Sequence, residues 1–331
     1  MDGLTGTLSL AFALVATPLS ASSVRAVAVT FDDLPVVSVL PLGRAERDAV
    51  TSALLGAIRR HRVPAIGFVN ENKLADSAGT IDPARVALLR RWLDAGLDLG
   101  NHTWSHPDLH RIPLADFEAE VLRGERWTRQ LLAERGRTPR YFRHPFLHTG
   151  RSVAVRDSLT AFLAAHGYRV APVTIDNGDY LFAAAYDRAL SAGDSPGAVR
   201  IRTTYLDYMD SVAAFYERQS VAILGRELPQ VLLLHVNRLN ADAFDAVAAM
   251  FERRGYRFIS LDEALADPAY ASADSYAGPA GITWLHRWAM TAGTSPAVFR
   301  GEPEVPDWIS AWAGGTPPAP QAPAHDPEGC H

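Results

Sequence analysis

Two carboxylates side by side, Asp32 and Asp33, close an apolar run from Val24 to Phe31. Successive residues of a strand point in opposite directions, so neighbouring aspartates at a strand end need not do the same work. One can bind a metal while the other handles a proton. Aspartates before Leu34-Pro35 are also a common way for a chain to leave a strand through a polar turn, so the pair needs partners before it means chemistry. Two histidines supply them. In GNHTWSHPDL, His102 and His106 stand four apart, a spacing that a helical turn brings to one face. Two neutral imidazoles and the Asp33 carboxylate make a facial set for one divalent cation, with positions left open for water and substrate. Arg143, Asp176 and His235 follow other apolar runs and join the candidates.

These side chains have to be positioned by an alternation of strands and helices. The periodicity predicts strands at 24–31, 65–69, 97–101, 141–142, 168–175, 231–234 and 257–260. Between them lie helices at about 44–62, 82–95, 113–135, 152–166 and 241–254, and a double-helix insert within 179–229. Asp82-Pro83 reads as a cap followed by proline in the first helical turn, and Gly96, Gly167 and Gly255 read as stops. Alternation of this kind implies a mainly parallel sheet covered on both faces, and seven units suggest a barrel. Parallel α/β folds place their sites at the C-terminal ends of strands, where all the candidates stand. A structural reason for any one of them is easy to find; for the whole set in register it is not.

Composition narrows the classes. The chain has 331 residues, with 48% hydrophobic and 21% charged side chains, as expected of an ordinary globular protein. A formal net charge of −5 leaves no basic footprint for nucleic acid. Lys73 is the only lysine; all other basic residues are arginine or histidine, a bias that fits genomic base composition. The single cysteine, Cys330, allows no internal disulfide. Residues 1–23 read as a signal peptide, because Leu8–Leu19 is apolar but too short to span a bilayer and is followed by Ser20-Ala21-Ser22-Ser23. The expected destination is the periplasm or the extracellular space, or the cytoplasm if the leader is not one, since it carries no positive n-region. No transmembrane segment is expected. Residues 24–265 form the expected barrel domain, 266–313 an extension packed on it, and 314–331 a Pro-rich disordered tail.

TFDD, NHTWSH, RYFRHPF, IDNGDY and LLLH occur in an order that resembles the polysaccharide deacetylases, the carbohydrate esterase family 4 enzymes with the NodB-homology domain. The resemblance covers Val24 to Leu265 and implies a distorted seven-stranded (β/α) barrel. It implies Asp33, His102 and His106 as metal ligands and Asp32 as general base, held by Arg143. It implies a backbone N–H at Phe146 for the oxyanion, His235 as general acid supported by Asp176, and Tyr180 lining the acetyl pocket. The cofactor is one divalent metal ion, with zinc as the default and cobalt, nickel or iron also suited to the ligand set. The substrate is an acetylated carbohydrate: chitin-type oligomers or peptidoglycan glycan, deacetylated at nitrogen. An O-acetyl esterase of the acetyl-xylan type, a hydrolase of a small non-sugar amide and a non-catalytic glycan-binding protein are the alternatives. Three features leave the family pattern: Leu34-Pro35 after the aspartates, His144 and Leu147-His148 in the arginine-proline loop, and Val236-Asn237 after the acid. His148 either lines the cleft or is a loop histidine satisfied by backbone. Oligomeric state, and the roles of the 179–229 insert and of the extension, are not legible in the sequence.

Overall fold

The computed structural model describes residues 25–315, so the expected leader (1–23) and all but the first two residues of the expected tail lie outside the described residues. Seven strands follow one another as β1 (Arg25–Leu34), β2 (Ile66–Val69), β3 (Asp98–Asn101), β4 (Tyr141–Phe142), β5 (Arg169–Val170), β6 (Gln230–His235) and β7 (Tyr256–Phe258). Every pairing is parallel. The order is β5-β4-β3-β2-β1-β6, with β7 against the first residues of β1. Ile175, beyond β5, bridges Leu232 of β6, so the curled sheet brings its far edges together. This is the expected distorted (β/α) barrel, curled and incompletely closed. β1 is its axis: it is buried almost throughout because helices cover both faces of a parallel sheet.

The helices are α1 (Arg44–Arg60), α2 (Pro83–Asp94), α3 (Leu114–Arg123), α4 (Arg126–Ala133), α5 (Val153–Ala165), α6 (Asp179–Ser191), α7 (Ser195–Leu224), α8 (Arg238–Arg253), α9 (Leu261–Ala264), α10 (Trp284–Thr291) and α11 (Asp307–Ala313). α2 begins as its sequence predicts, with Asp82 Oδ1 accepting the Ala84 N–H at 2.8 Å and Pro83 at the first position. Four expectations are corrected. The single helix predicted over 113–135 is two, α3 and α4, separated at Gly124. A Cβ there would strike the backbone of Thr103 and Trp104, so the break is where the histidine loop presses on the helix. The strand predicted over 168–175 pairs only at Arg169–Val170 and again at Ile175. The second helix of the insert, expected over about 204–228, starts at Ser195, because Asp194 caps it through Gly197 N–H at 2.9 Å with Pro196 in the first turn. α11 was not foreseen, being a short helix inside a Pro-rich stretch.

The extension beyond Leu265 shares the main core: Trp284, Leu285, Trp288, Ile309 and Trp312 are buried in the same apolar cluster as β1, α6 and α7 side chains. We therefore expect barrel and extension to unfold as one unit. Trp312→Ala removes a large buried ring and should lower the unfolding free energy by about 3 kcal/mol. A urea titration should show one transition at a lower midpoint; a barrel transition left unshifted would mean that the extension is a separate unit.

Candidate active site

The end of β1 departs from a regular strand. Its register against β2 shifts between Phe31 and Leu34, and Asp33 has φ 68°. A bulge of this kind re-aims a side chain. It overrides the expected alternation, so that both carboxylates face one place: His102 Nε2 lies 3.8 Å from Asp32 Oδ2 and 3.9 Å from Asp33 Oδ1. The Leu34 that leaves the family pattern is fully buried, lying where a Cβ on Gly67 of β2 would fall. The glycine makes room for it.

Arg143, at the end of β4, is fully buried, and its guanidinium is satisfied throughout. Nη1 donates to both Asp32 oxygens at 3.2 Å, Nε to the Ala171 carbonyl at 2.9 Å, and Nη2 to Thr30 Oγ1 at 3.0 Å. Burial pushes the Asp32 carboxyl up to about 6 against the opposing pull of Arg143 and His235. The Arg143 carbonyl sits 2.8 Å from His102 Nδ1, which leaves Nε2 facing the carboxylates.

His102 and His106 come together by a different route from the expected helical turn: the segment between them is an irregular loop. Thr103 and His106 have φ 68° and 60°, and Asn101 Oδ1 accepts the Thr103 N–H at 2.7 Å. Ser105 is tied to Glu120 of α3, N–H to Oε2 at 2.7 Å. The loop sets the imidazole rings 4.8 Å apart, with His106 Nε2 3.9 Å from Asp33 Oδ1. Burial first of all holds both imidazoles below their ordinary pKa, as a metal ligand requires. Asp33 is held well below the usual carboxylate range: burial would raise it, but the charges of Lys73, His106, His235 and His102 prevail. Its Oδ1 accepts no hydrogen bond and is faced by the Lys73 ammonium at 3.1 Å and by the two imidazoles. Two neutral nitrogens and an ionised carboxylate fit a divalent cation.

His235, at the end of β6, is the register partner of Asp32. Its support is Asp179, not Asp176. Asp179 Oδ1 lies 2.7 Å from His235 Nδ1, and Oδ2 accepts the His235 N–H at 2.8 Å. Asn240 Nδ2 donates to the same Oδ2 at 2.7 Å, and Tyr205 holds Asn240 in turn at 2.7 Å. Burial opposes charge on His235, but Asp179, Asp33 and Asp32 outweigh it and raise the imidazole to about 9. Asp176 accepts its own neighbour's N–H, from Asn177 at 2.8 Å, and makes no ion pair among the described residues. α6 begins at Asp179, which puts that carboxylate against β6, whereas Asp176 lies before the turn. The signal in the sequence was the aspartate directly beside Tyr180.

Phe146 and Tyr180 flank the two ends of this constellation, both more than half exposed. The Phe146 ring lies 4.5 Å from that of His106, and the Tyr180 ring 6.3 Å from that of His235. His144 is buried and pushed down to about 3 by that burial, hence neutral. His148 lines the cleft and is satisfied by a carboxylate rather than by backbone, its Nδ1 2.7 Å from Asp108 Oδ1. Asp108, His110 and His148 form a second His/Asp cluster, but the two rings stack at 3.9 Å with 9° between planes. Lone pairs in parallel planes do not converge on one ion. The residue most clearly missed is Lys73, whose Nζ is 3.1 Å from Asp33 Oδ1. Being the only lysine among so many arginines was its signal. A cavity of about 990 Å³ is lined by Asp32, Asp33, His102, His106, Phe146, Tyr180 and His235.

Fold and site together define a parallel (β/α) barrel carrying two histidines and an aspartate as candidate metal ligands beside a second aspartate and a third histidine. The polysaccharide deacetylase family model matches residues 20–171, a little under half of the chain. A chitooligosaccharide deacetylase of Bradyrhizobium is 30% identical over 145 residues, covering 44% of this chain and 57% of the relative. A chitin deacetylase of Colletotrichum lindemuthianum is 24% identical over 73% of this chain and 79% of its own. A peptidoglycan-N-acetylglucosamine deacetylase of Listeria monocytogenes is 21% identical over 72% and 38%. The match thus spans little more than half of the Bradyrhizobium relative and well under half of the Listeria one. Among solved structures, the family 4 carbohydrate esterase from Streptomyces lividans in complex with acetate is similar at 23% identity and TM-score 0.42, over 72% of this chain and 95% of that one. No described helix is long and apolar enough to cross a membrane.

Two outcomes follow from the site's charges. Asp179→Asn should lower the His235 pKa from about 9 towards the ordinary 6.5, read by NMR titration of its ring protons; an unmoved titration would mean that Asp179 is only a structural partner. The Lys73 ammonium opposes a second cation beside Asp33, so Lys73→Met should bind divalent metal about tenfold more tightly in chelator competition. Weaker binding would show instead that Lys73 organises the ligand.

Proposed function

We propose that this protein is a metal-dependent hydrolase that removes acetyl groups from N-acetylated sugars of the chitin or peptidoglycan kind. One observation supports this above the others. The Asp33, His102 and His106 ligand set shares a cavity with an Arg143-held Asp32 and an Asp179-held His235. A cation held there, with zinc as the default choice, would polarise the acetyl carbonyl and ease deprotonation of the attacking water. Asp32 accepts the water proton, since its carboxyl pKa of about 6 leaves it ionised and basic near neutral pH. Arg143 holds that carboxylate in line through two hydrogen bonds and needs no movement during the reaction. The Phe146 N–H is the proposed donor to the tetrahedral oxyanion, and Tyr180 a wall of the acetyl pocket.

His235 stays protonated up to about pH 9 and gives its proton to the leaving nitrogen. An amine leaves poorly without that proton, so an acid held charged well above neutrality favours amide over ester as the substrate. Asp33, His102 and His106 thereby serve as ligands, Asp32 as base, His235 as acid, and Arg143 and Asp179 as the residues that position those two.

Acetate release measured in parallel on chitooligosaccharides, muropeptides and acetyl-xylan tests the proposal; acetate from the ester alone would overturn it. Asp32 must be ionised and His235 protonated, so kcat/KM should rise through an acid limb and fall through a basic limb near 9. The acid limb should lie at or below about 6, because a bound cation favours the ionised carboxylate further. Asp32→Asn should cost about a hundredfold or more in kcat while metal uptake is retained. A variant with full activity would remove Asp32 from the role of base.

A further inference from the structure

The cavity is only partly made by the barrel. Its remaining wall comes from the extension, which is fastened on both sides of the cleft. On the His106 side, Gly281 lies so close over the Phe146 carbonyl that a Cβ would collide with it. Trp284 N–H donates to the Val173 carbonyl at 2.8 Å, and Arg287 Nη1 to Thr149 Oγ1 at 2.8 Å. On the His235 side, Val305 occupies the space that a side chain on Gly178 would take, and Tyr216 of α7 donates to Glu302 at 2.6 Å. Arg188 Nε of α6 donates to the Ala313 carbonyl at 3.1 Å, and Ile309 and Trp312 are buried beneath. One segment therefore runs from one rim to the other and lines the cavity with Glu302, Pro303, Val305 and Ser310.

The lining also has a sign. Asp176, Asp187 and Glu302 line the cavity beyond the catalytic aspartates, and no lysine or arginine does so among the described residues. Asp187 is 1% exposed and its Oδ1 has no hydrogen-bond partner; Arg238 Nε comes no nearer than 4.0 Å. Asp187 Oδ2 is bonded to Ser38. Tyr208 and Tyr216 add hydroxyls to the same wall. Away from the charged His235 and the cation site, acceptors of this kind suit the hydroxyls and amines of a sugar and repel a carboxylate.

We infer that the 281–314 segment turns the cleft into a chamber for short, neutral or amine-bearing N-acetylated sugars, against both long polymers and muramic-type sugars that carry a carboxylate. The inference rests on the deacetylase reading and narrows its substrate. A cavity of about 990 Å³ is large for one small ligand, and the 281–314 segment lines it from one rim to the other. Asp176, released from the His235 role, becomes with Glu302 a specificity residue.

The test is kcat/KM of the intact enzyme on the N-acetylglucosamine dimer, tetramer and hexamer, on soluble glycol chitin, and on the N-acetylglucosaminyl-N-acetylmuramic acid disaccharide. We expect the dimer to exceed glycol chitin per acetyl group, and to exceed the muramic disaccharide, each by about tenfold or more. Asp176→Asn and Glu302→Gln should narrow the second gap through KM rather than kcat. Hexamer or polymer turned over as well as the dimer overturns the chamber and leaves the deacetylase reading standing. Equal rates on the muramic disaccharide overturn the charge selection. No acetate from any of these sugars overturns both the inference and the reading beneath it.

Discussion

The buried guanidinium of Arg143 is the constraint on which the rest of the site depends. A charge with no exposure to water is tolerated only when its donors are met and an opposite charge is close. Arg143 meets Asp32, Thr30 and Ala171, and so ties the ends of β1 and β4 to the segment after β5. Thr30 passes the tie onward to β6, its hydroxyl donating to the Leu232 carbonyl at 2.8 Å. The backbone of Arg143 takes part as well: its N–H donates to the Asn101 carbonyl at 3.0 Å and its carbonyl fixes the His102 ring. One residue thus orients Asp32, fixes the His102 ring and holds four strand ends in register. Breaking a buried pair of this kind typically costs about 3–5 kcal/mol, because the partner is left charged and alone.

Around that centre the backbone is locally irregular, and the irregularity lies where the chemistry does. Asp33, Thr103, His106, Phe146 and Leu147 all have positive φ, a region L-residues other than glycine rarely occupy. Each of these departures serves to aim a group. The β1 bulge turns Asp33 towards the side of Asp32, and the turns at Thr103 and His106 bring a second imidazole to the first. Surrounding packing holds them in place: Leu34 sits over Gly67, the broken α3–α4 pair presses on Thr103, and Gly281 presses on Phe146.

What was legible in the sequence follows from the same physics. Strand ends could be found because an apolar run that stops at Asp, Arg or His marks where a buried strand meets a polar site. Asp32, Asp33, Arg143 and His235 were identified that way, and the structure brings them together. Spacing alone misled about means. His102 and His106 are four apart and do converge, but through a loop tied by Asn101 and Glu120 rather than a helix. The support of His235 was assigned to Asp176 by the family resemblance, which matched the wrong aspartate of IDNGDY; the start of α6 at Asp179 decides otherwise. Lys73 looked like compositional residue and is a neighbour of the candidate ligand Asp33. α11 lay in a stretch too short and too rich in proline for periodicity to reveal.

The adjacent aspartates show why residue type cannot assign roles in such a site. Asp32 and Asp33 share a strand end and a side-chain type, yet their environments drive them apart. Asp32 has desolvation as its dominant influence, and Arg143 and His235 pulling against it leave it near 6, where a carboxylate can still take a proton. Asp33 feels the same desolvation, but Lys73, His106, His235 and His102 together overcome it, so it stays ionised as a ligand must. The distinction rests on where positive charge lies, and that is set by the bulge that turns Asp33 towards Lys73 and His106. Two like carboxylates so close would otherwise compete for one proton. The fold separates them by geometry first and by electrostatics as its consequence.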